Sequence, residues 1–235
     1  RETLKFMGIT EGMEIHHDGD LPARTGLGSS SSFTVGLLHA LYTLKGITPS
    51  KMQLAQEAIH IEQNIIEENI GSQDQVLAAF GGLSHIEFSR EYAFEIKSVI
   101  IKPQRLELLQ NHLMLFFTGF SRIASEIAGE QIKQTPNKKQ ELTAMYRMVD
   151  EAASILHKEN DMSEFGKLLH ESWQLKRSLT NKISTPYMDF LYETAIGAGA
   201  TGGKLLGAGG GGFMLFFVKP ELQPKLREAL SNLLH

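Results

Sequence analysis

Residues 21–36 read LPARTGLGSSSSFTVG, and this stretch decides the fold that we expect for the chain. Gly26 and Gly28 precede four consecutive serines, and the apolar residues that follow recur at helical spacing. We therefore predict a glycine turn that opens directly onto the first turn of a helix.

The start of such a helix is suited to binding an anion. Its first N–H groups have no partner inside the helix, and the aligned peptide dipoles leave that end partly positive. Gly26 and Gly28 can adopt positive φ and let a bulky ligand approach the backbone. Ser29–Ser32 add hydroxyls for phosphate oxygens or for hydrated Mg2+. The stretch predicts a phosphate-binding loop, although an ordinary serine-capped helix explains the same residues equally well.

Composition excludes several classes of protein. A chain of 235 residues, 42% of them hydrophobic, can bury a sizeable core in one large domain or two smaller ones. Its net charge of -4 argues against nucleic acid as a partner, and no block of charge indicates a membrane surface. The absence of cysteine excludes disulfides and thiolate metal sites and favours a reducing compartment.

The ends and the hydropathy of the chain suggest where it works. No apolar run approaches the length of a membrane span, and the first residues, RETLKFMG, lack a signal-peptide core. We therefore expect a cytoplasmic protein. The chain begins without methionine and within a helical pattern, so we also expect a preceding segment that this sequence does not contain.

Periodicity and capping residues give the order of elements. In the first part we predict the end of a helix at 1–8 and a strand at Met13–His16. Three helices follow, at 29–46, at 50–69 with Ser50 as its cap, and a short one that begins at Ser72 with that serine as its cap. We then predict strands at 83–88 and 94–101 and a helix from Pro103. In the second part we predict a strand at 113–117, helices at 121–134, 138–158, 162–180 (opened by a capping box of Asp161 and Glu164) and 185–198, a hairpin at 202–218, and a helix from Pro220. This mixture favours an α+β fold with domains at residues 1–105 and 106–235.

The predicted hairpin carries a second glycine-rich element. Glycine fills five of the six positions at 207–212, so either the turn is unusually tight or a backbone or ligand passes close to it. A dinucleotide fingerprint is excluded because a strand rather than a helix follows, and the sequence around Lys204 does not fit a P-loop. We expect either a purely structural turn, which is the more common case, or a loop that packs against a neighbour such as the nucleotide bound at the first loop.

Two carboxylates fit the chemistry of phosphoryl transfer. Glu62 lies within an apolar helical pattern, and Asp74 lies in the first turn of the next helix, where an anionic carboxylate is stabilised. Phosphoryl transfer needs phosphate oxygens held by backbone N–H groups, Mg2+, and a carboxylate beside the acceptor hydroxyl. Residues 26–74 could supply the backbone N–H groups, the ligands for Mg2+ and the carboxylate. Isolated acidic residues, however, are more often ordinary surface or capping charges.

Other candidate sites are weaker. The nine histidines show no metal-ligand spacing, and no serine lies in a Gly-x-Ser-x-Gly elbow. Lys176, Arg177 and Lys182 form either a solvated face or a second phosphate site. Arg122 presents the same choice, since a guanidinium can clamp a phosphate or an acidic sugar group.

Three segments together resemble one known family. LPARTGLGSSSS is similar to the second signature of the GHMP small-molecule kinases, KLLGAGGGGF resembles their third signature, and GSQDQVLAAFGG resembles the segment that carries their catalytic aspartate. The three segments occur in the family's order, and the resemblance spans nearly the whole chain.

The resemblance implies an ATP-dependent kinase that acts on a small-molecule sugar phosphate. It implies the GHMP two-domain fold, with a domain similar to the second domain of ribosomal protein S5 followed by a ferredoxin-like domain. Asp74 would be the catalytic base or orienting carboxylate, and Ser30 and Glu62 would bind Mg2+. ATP would contact Pro22, Thr25, Gly26, Leu27, Gly28, Ser29, Ser30, Ser31, Gly209 and Gly210. The sugar would contact Asp74, Arg122, Gly207, Gly209 and Lys176.

The chain also departs from the family pattern. Arg24 stands where many members have glycine, and four serines replace a Ser-Ser-Ala-Ala segment. The family's first signature is missing from this sequence, so its contacts are not assigned and the chain by itself is expected to be incomplete as an enzyme. The resemblance leaves open a homodimer, a different sugar kinase of the family, such as a fucokinase, and a nucleotide-binding relative without catalysis.

Overall fold

The chain forms two compact units in a computed structural model that describes residues 1–21, 23, 25–89, 94–119, 124–159, 161–231 and 233. The first unit contains residues 1–24 and 28–99, and the second contains residues 25–27 and 100–235. The three residues Thr25–Leu27 thus belong to the second unit although their neighbours in sequence belong to the first. The predicted domain limits at 105 and 106 stay a prediction.

The first unit is mainly helical. Its elements are α1 (Glu2–Phe6), α2 (Ser29–Leu44), α3 (Lys51–His60), a π-helical turn (Ile61–Ile65), α4 (Gln73–Phe80) and the antiparallel strands β1 (Ser84–Phe88) and β2 (Phe94–Ser98). Leu38, Leu54 and Ile61 are buried in one core between the helices. This core fixes α2 beside the π-helical turn, where the candidate site is built.

The second unit packs helices against a three-stranded sheet. Its elements are α5 (Pro103–His112), β3 (Leu113–Phe117), α6 (Ala124–Gln134), α7 (Lys139–His157), α8 (Ser163–Leu179), α9 (Pro186–Ala198), β4 (Ala200–Leu205), β5 (Phe213–Val218) and α10 (Gln223–Ser231). The antiparallel strand order is β3-β5-β4, and Trp173, Tyr192 and Phe216 are fully buried in its main core.

Helix α8 lies very close to β4 because glycines meet there. A Cβ atom on Gly202 would lie 2.0 Å from the carbonyl oxygen of Gly166. Any larger side chain at residue 202 would push helix and strand apart. The backbone of α8 is therefore in direct contact with β4, which brings side chains of both elements to the glycine loop at 207–212.

Several predicted helix starts are confirmed. The Ser50 hydroxyl accepts a hydrogen bond from the Gln53 N–H, and the Thr185 hydroxyl accepts one from the Met188 N–H. Proline occupies the first turn of α5 and α9, where its missing N–H costs nothing. The predicted α+β class and the hairpin around 207–212 are also confirmed.

Three local predictions are wrong. Residues 13–16 form no strand in the described part of the chain; Met13 and Ile15 are exposed, and no described strand pairs with them. Ser72 occupies the N-cap position of α4 but does not cap it with its side chain, because its backbone is helical (φ -101°, ψ -1°) and not extended; its hydroxyl accepts from Gln63. Met162, and not Asp161, is the N-cap of α8; Asp161 accepts from the Ser163 N–H, and Glu164 pairs with Lys167 and forms no capping box.

None of the described helices is both long enough and apolar enough to span a membrane.

Candidate functional site

Glu62 is a buried carboxylate at the centre of a polar cluster in the first unit. Only 2% of its surface is exposed. Its Oε1 accepts hydrogen bonds from the hydroxyls of Ser30 at 2.8 Å and Thr34 at 3.1 Å. Its Oε2 accepts from the Ser31 hydroxyl at 2.8 Å and from the side-chain amide of Gln75. Four donors therefore compensate for the burial of one negative charge.

The local sequence explains this convergence. Ser30 and Thr34 are four residues apart on α2, so their side chains lie one above the other on the same helical face. Glu62 enters from the π-helical turn, and Gln75 enters from the first turn of α4. Each donor belongs to an element fixed by the first unit's apolar core, so the carboxylate is held in one orientation.

Asp74 lies against the glycine that begins α2. A Cβ atom built on Gly28 would lie 3.3 Å from Cγ of Asp74, and Gly28 has φ +70°. Both constraints favour glycine at this position. Burial raises the pKa of the Asp74 carboxyl; a hydrogen bond from Gln73 acts against this, and the nearby charge of Glu62 adds to it. The first glycine turn and the predicted catalytic carboxylate are thus neighbours.

The N-terminus of α2 leaves its backbone donors available. The helix begins at Ser29 after Gly28, and no described side chain caps it. Ser30 is exposed at this end, whereas Ser31 is buried. The free N–H groups and the positive end of the helix dipole therefore lie beside Asp74, which is the environment predicted for a bound phosphate.

Ser30 and Glu62 satisfy a simple test for Mg2+. Their oxygens Oγ and Oε1 are 2.8 Å apart. Adjacent ligands of an octahedral Mg2+ at about 2.1 Å are separated by roughly 3 Å. Within the described residues no group of three or more His, Asp or Glu side chains could hold a metal. Mg2+ in phosphotransfer sites commonly takes only one or two protein ligands together with phosphate oxygens, so two oxygens are enough in number, and the predicted Mg2+ role of Ser30 and Glu62 stays a prediction.

In the second unit, Thr25–Leu27 pack against the other glycine-rich loop. The carbonyl oxygen of Thr25 accepts from the Phe213 N–H at 3.1 Å. A Cβ atom on Gly26 would lie 2.7 Å from the Leu206 carbonyl oxygen, and one on Gly207 would lie 2.7 Å from Gly26 Cα. This direct backbone contact gives a physical reason for the glycines on both sides. The Thr118 hydroxyl also bonds both the N–H and the carbonyl of Gly212.

The remaining predicted residues of this loop have protein neighbours. Gly209 and Gly210 are buried against Ile183, whose carbonyl oxygen accepts from the Gly210 N–H at 2.9 Å. The ammonium group of Lys176 donates to the carbonyl oxygen of Gly207. Their predicted roles toward ATP and sugar stay predictions.

Two predicted site residues, Pro22 and Arg122, lie outside the described residues, as does Arg24, where the chain departs from the family pattern. Thr34, Gln75, Thr118 and Lys204 were not identified as site residues. The i+4 spacing from Ser30 could have indicated Thr34, and adjacency to Asp74 could have indicated Gln75. Thr118 meets Gly212 only through tertiary structure, so no sequence pattern signals it.

Family models match both parts of the chain. The model for the GHMP kinase N-terminal domain matches residues 1–82, and the model for the GHMP kinase C-terminal domain matches residues 140–235.

Individual relatives extend this similarity. The chain is 31% identical over 225 residues to a D-glycero-alpha-D-manno-heptose 7-phosphate kinase of Campylobacter jejuni, covering 93% of this chain and 65% of that protein. It is 26% identical to the bifunctional fucokinase/GDP-fucose pyrophosphorylase of Arabidopsis thaliana, covering 94% of this chain and 21% of that protein.

A solved structure supports the same relationship. The crystal structure of a D-glycero-D-manno-heptose 1-phosphate kinase from Bacteriodes thetaiotaomicron matches with a TM-score of 0.62 and 27% identity, covering 91% of this chain and 60% of that one. The chain thus spans about three fifths to two thirds of the length of its heptose kinase relatives. From the two family models and these relatives together, the chain belongs to the GHMP kinase family.

Proposed function

We propose that the chain is the major part of an ATP- and Mg2+-dependent sugar kinase. Its substrate would be D-glycero-D-manno-heptose 7-phosphate, and the phosphoryl group would go to the anomeric hydroxyl. The observation that carries the proposal is the packing of Asp74 against Gly28 at the uncapped start of α2. The similarity to a heptose 7-phosphate kinase supports the choice of sugar.

Asp74 would act on the acceptor hydroxyl. In the transfer, the anomeric oxygen forms a bond to the γ-phosphorus, the bond from that phosphorus to the bridging oxygen breaks, and ADP leaves. The hydroxyl proton passes to the Asp74 carboxylate. Because burial raises the pKa of Asp74, this carboxylate accepts a proton more readily than an exposed aspartate does.

The first turn of α2 would bind the phosphates of ATP. Its first backbone N–H groups receive no capping hydrogen bond from a described side chain, and the Asp74 side chain lies next to them at Gly28. The exposed Ser30 hydroxyl adds a further polar group at this position. Binding here relies on the backbone and the helix dipole, so it requires no lysine from a P-loop.

Ser30 and Glu62 would hold Mg2+. When bound, Mg2+ supplies positive charge that neutralises phosphate oxygens during transfer. Ser31, Thr34 and Gln75 would keep the Glu62 carboxylate oriented toward Ser30. Their role is positioning, because they act on Glu62 and not on the reacting atoms.

The decisive test of Asp74 is its replacement by asparagine in the full-length protein. Asp74→Asn keeps the shape of the side chain but removes the proton acceptor, so we expect turnover with radiolabelled ATP to fall about 10²–10⁴-fold. The affinity for a non-hydrolysable ATP analogue, measured by calorimetry, should change less than about twofold. Asp150→Asn, on the exposed face of α7, is the matched control. Turnover near the wild-type value in Asp74→Asn would remove Asp74 from this role.

A panel of acceptors tests the sugar. D-glycero-D-manno-heptose 7-phosphate, the unphosphorylated heptose, L-fucose and D-galactose would be compared by kcat/KM. A preference for L-fucose would support the second candidate, a fucokinase, which the similarity to the Arabidopsis protein favours. Nucleotide binding without transfer to any acceptor would instead support a relative that has lost catalysis.

A further inference from the structure

Two lysines converge beside the glycine loop of the second unit. Lys176 lies near the end of α8, and its ammonium group donates to the carbonyl oxygen of Gly207. Lys204 lies on β4, two residues after Gly202, whose position faces the backbone of α8. Since side chains alternate along a strand, Lys204 is on the same face as Gly202. The two side chains therefore enter one space between α8 and β4.

The two lysines are close enough for the charge of Lys204 to act on Lys176. Burial, together with the charge of Lys204, lowers the pKa of Lys176 to about 7. Burial also lowers the pKa of Lys204. As whole residues both lysines are partly exposed, while burial desolvates both ammonium groups.

No carboxylate balances this pair within the described residues. The neighbouring cations do have partners: Arg177 pairs with Asp189 at 3.1 Å, and Lys182 lies 4.0 Å from Glu130. No acidic group contributes to the pKa of Lys176 or Lys204. Apart from the Gly207 carbonyl, the described chain provides no acceptor for either ammonium group. Two partly buried like charges without a counterion are unfavourable unless an anion joins them.

We propose that Lys176 and Lys204 form a subsite for the phosphate group of a phosphorylated sugar substrate. A phosphate monoester carries a charge of about -1.5 to -2 at neutral pH, which matches two ammonium groups better than a single carboxylate does. The three terminal oxygens of the phosphate can also accept hydrogen bonds from the ammonium N–H groups of the two lysines that do not bond the Gly207 carbonyl oxygen. This proposal rests on the proposed kinase function and assigns the residues that would recognise the phosphate already present on the sugar.

A purely structural role would have a different signature. Lys176 could serve only to tie the end of α8 to the loop, with Lys204 covering apolar surface by its aliphatic stem. Loss of either lysine would then lower stability without changing the affinity for any anion. Substrate affinity, and not stability alone, must therefore be measured.

The test uses Lys176→Met and Lys204→Met in the full-length protein. Methionine keeps most of the side-chain length and removes the charge. Lys167→Met, an exposed residue on α8 with 60% of its side chain accessible, is the matched control. Lys176→Arg retains the charge. Far-UV circular dichroism and thermal unfolding identify any variant that has lost its fold. If Lys176→Met does not fold, Lys176→Arg still tests whether a positive charge at this position is enough for binding.

Two probes distinguish the sources of phosphate. Calorimetry would measure binding of sedoheptulose 7-phosphate, a seven-carbon sugar phosphate, and of a non-hydrolysable ATP analogue. We expect each Met variant to lose at least tenfold in affinity for the sugar phosphate and less than twofold for the nucleotide. Lys176→Arg should retain most of the affinity, and Lys167→Met should match the wild type.

Each contrary outcome has a definite meaning. Unchanged sugar-phosphate affinity in both Met variants, or no binding to the wild type, overturns the subsite. A loss confined to the nucleotide assigns the lysines to ATP and also overturns it. Because binding is measured without turnover, a protein that binds sugar phosphate through these lysines but transfers nothing would refute the proposed kinase function while supporting the subsite.

Discussion

The polar cluster around Glu62 predicts that two substitutions at this residue differ sharply in their effect on stability. Glu62→Ala removes the acceptor of four hydrogen bonds. Ser30 is exposed and can bond to water, and the Thr34 hydroxyl also contacts the Ser30 carbonyl oxygen. Ser31 and Gln75 are buried and would lose their acceptor.

The magnitude follows from these two orphaned donors. Each buried donor without a partner costs about 1–3 kcal/mol, so the pair costs about 2–6 kcal/mol. Removal of a buried charge offsets part of this cost. We therefore expect Glu62→Ala to destabilise the first unit by about 3 kcal/mol, which corresponds to a roughly hundredfold change in the local opening equilibrium.

Glu62→Gln should cost much less, about 1 kcal/mol. The new amide group presents a donor where Oε2 accepted a bond from Gln75. The Gln75 Oε1 atom has no hydrogen-bond partner within the described residues. Rotation of the Gln75 amide would bring this free acceptor toward the new N–H group, and the Ser31 hydroxyl can also reorient.

Hydrogen exchange measured on peptides can test this difference within one unit. Peptides from α2 and α4 should exchange roughly a hundredfold faster in Glu62→Ala and less than about tenfold faster in Glu62→Gln. Peptides from α9 and β5 serve as an internal reference, and Glu68→Ala, at an exposed position of the same segment, is the control. Equal acceleration in the two variants, or none in either, would refute the reasoning.

Three further predictions concern stability. Gly26→Ala places a Cβ 2.7 Å from the Leu206 carbonyl oxygen at a residue with φ +83°. We expect it to lower the free energy of unfolding by about 2 kcal/mol or more, measured as a lower Tm. An unchanged Tm would contradict the contact. Gly36→Ala, mid-helix with nothing within 4 Å, should raise stability by about 0.5–1 kcal/mol, and a lower Tm would contradict this. Lys176 has a folded pKa of about 7, below its unfolded value near 10.4. The unfolded state then binds more protons between these values, so the free energy of unfolding should rise with pH across this range by up to about 1.4 kcal/mol per unit. Lys176→Met should reduce this rise in urea titrations followed by Trp173 fluorescence, and the lowered pKa of Lys204 should leave part of it in place. An identical pH profile in this variant would exclude Lys176 as a source.

Residues whose hydrogen-bond partners lie within a few positions along the chain were predictable from sequence. Ser50 and Thr185 cap helices because a hydroxyl at the N-cap reaches an N–H two or three residues later, whatever the rest of the chain does. The turn at Gly28 is local in the same sense, since glycine supplies the positive φ that precedes α2.

Residues whose role depends on distant partners were not fully predictable. Glu62 was identified by its place in an apolar helix, but its four donors come from two other elements. Ser72 precedes α4 as predicted, but its backbone angles are helical and its hydroxyl bonds Gln63, a partner that the local sequence does not indicate. The segment at 13–16 has an alternating pattern, yet alternation produces a strand only where a neighbouring strand completes the hydrogen bonds. Lys204 was set aside because it fits no P-loop, and its proximity to Lys176 depends on how α8 lies on β4.

The assignment of Thr25–Leu27 to the second unit has a consequence for dissecting the protein. A fragment beginning at Ile100 would lack Thr25–Leu27. The Phe213 N–H donates to the Thr25 carbonyl oxygen, and the backbones of Gly207 and Gly212 lie against Gly26 and Thr25. During synthesis, Thr25–Leu27 leave the ribosome long before the hairpin that receives them. The second unit therefore cannot finish folding from residues 100–235 alone, and its last contacts need a segment that is synthesised earlier in the chain.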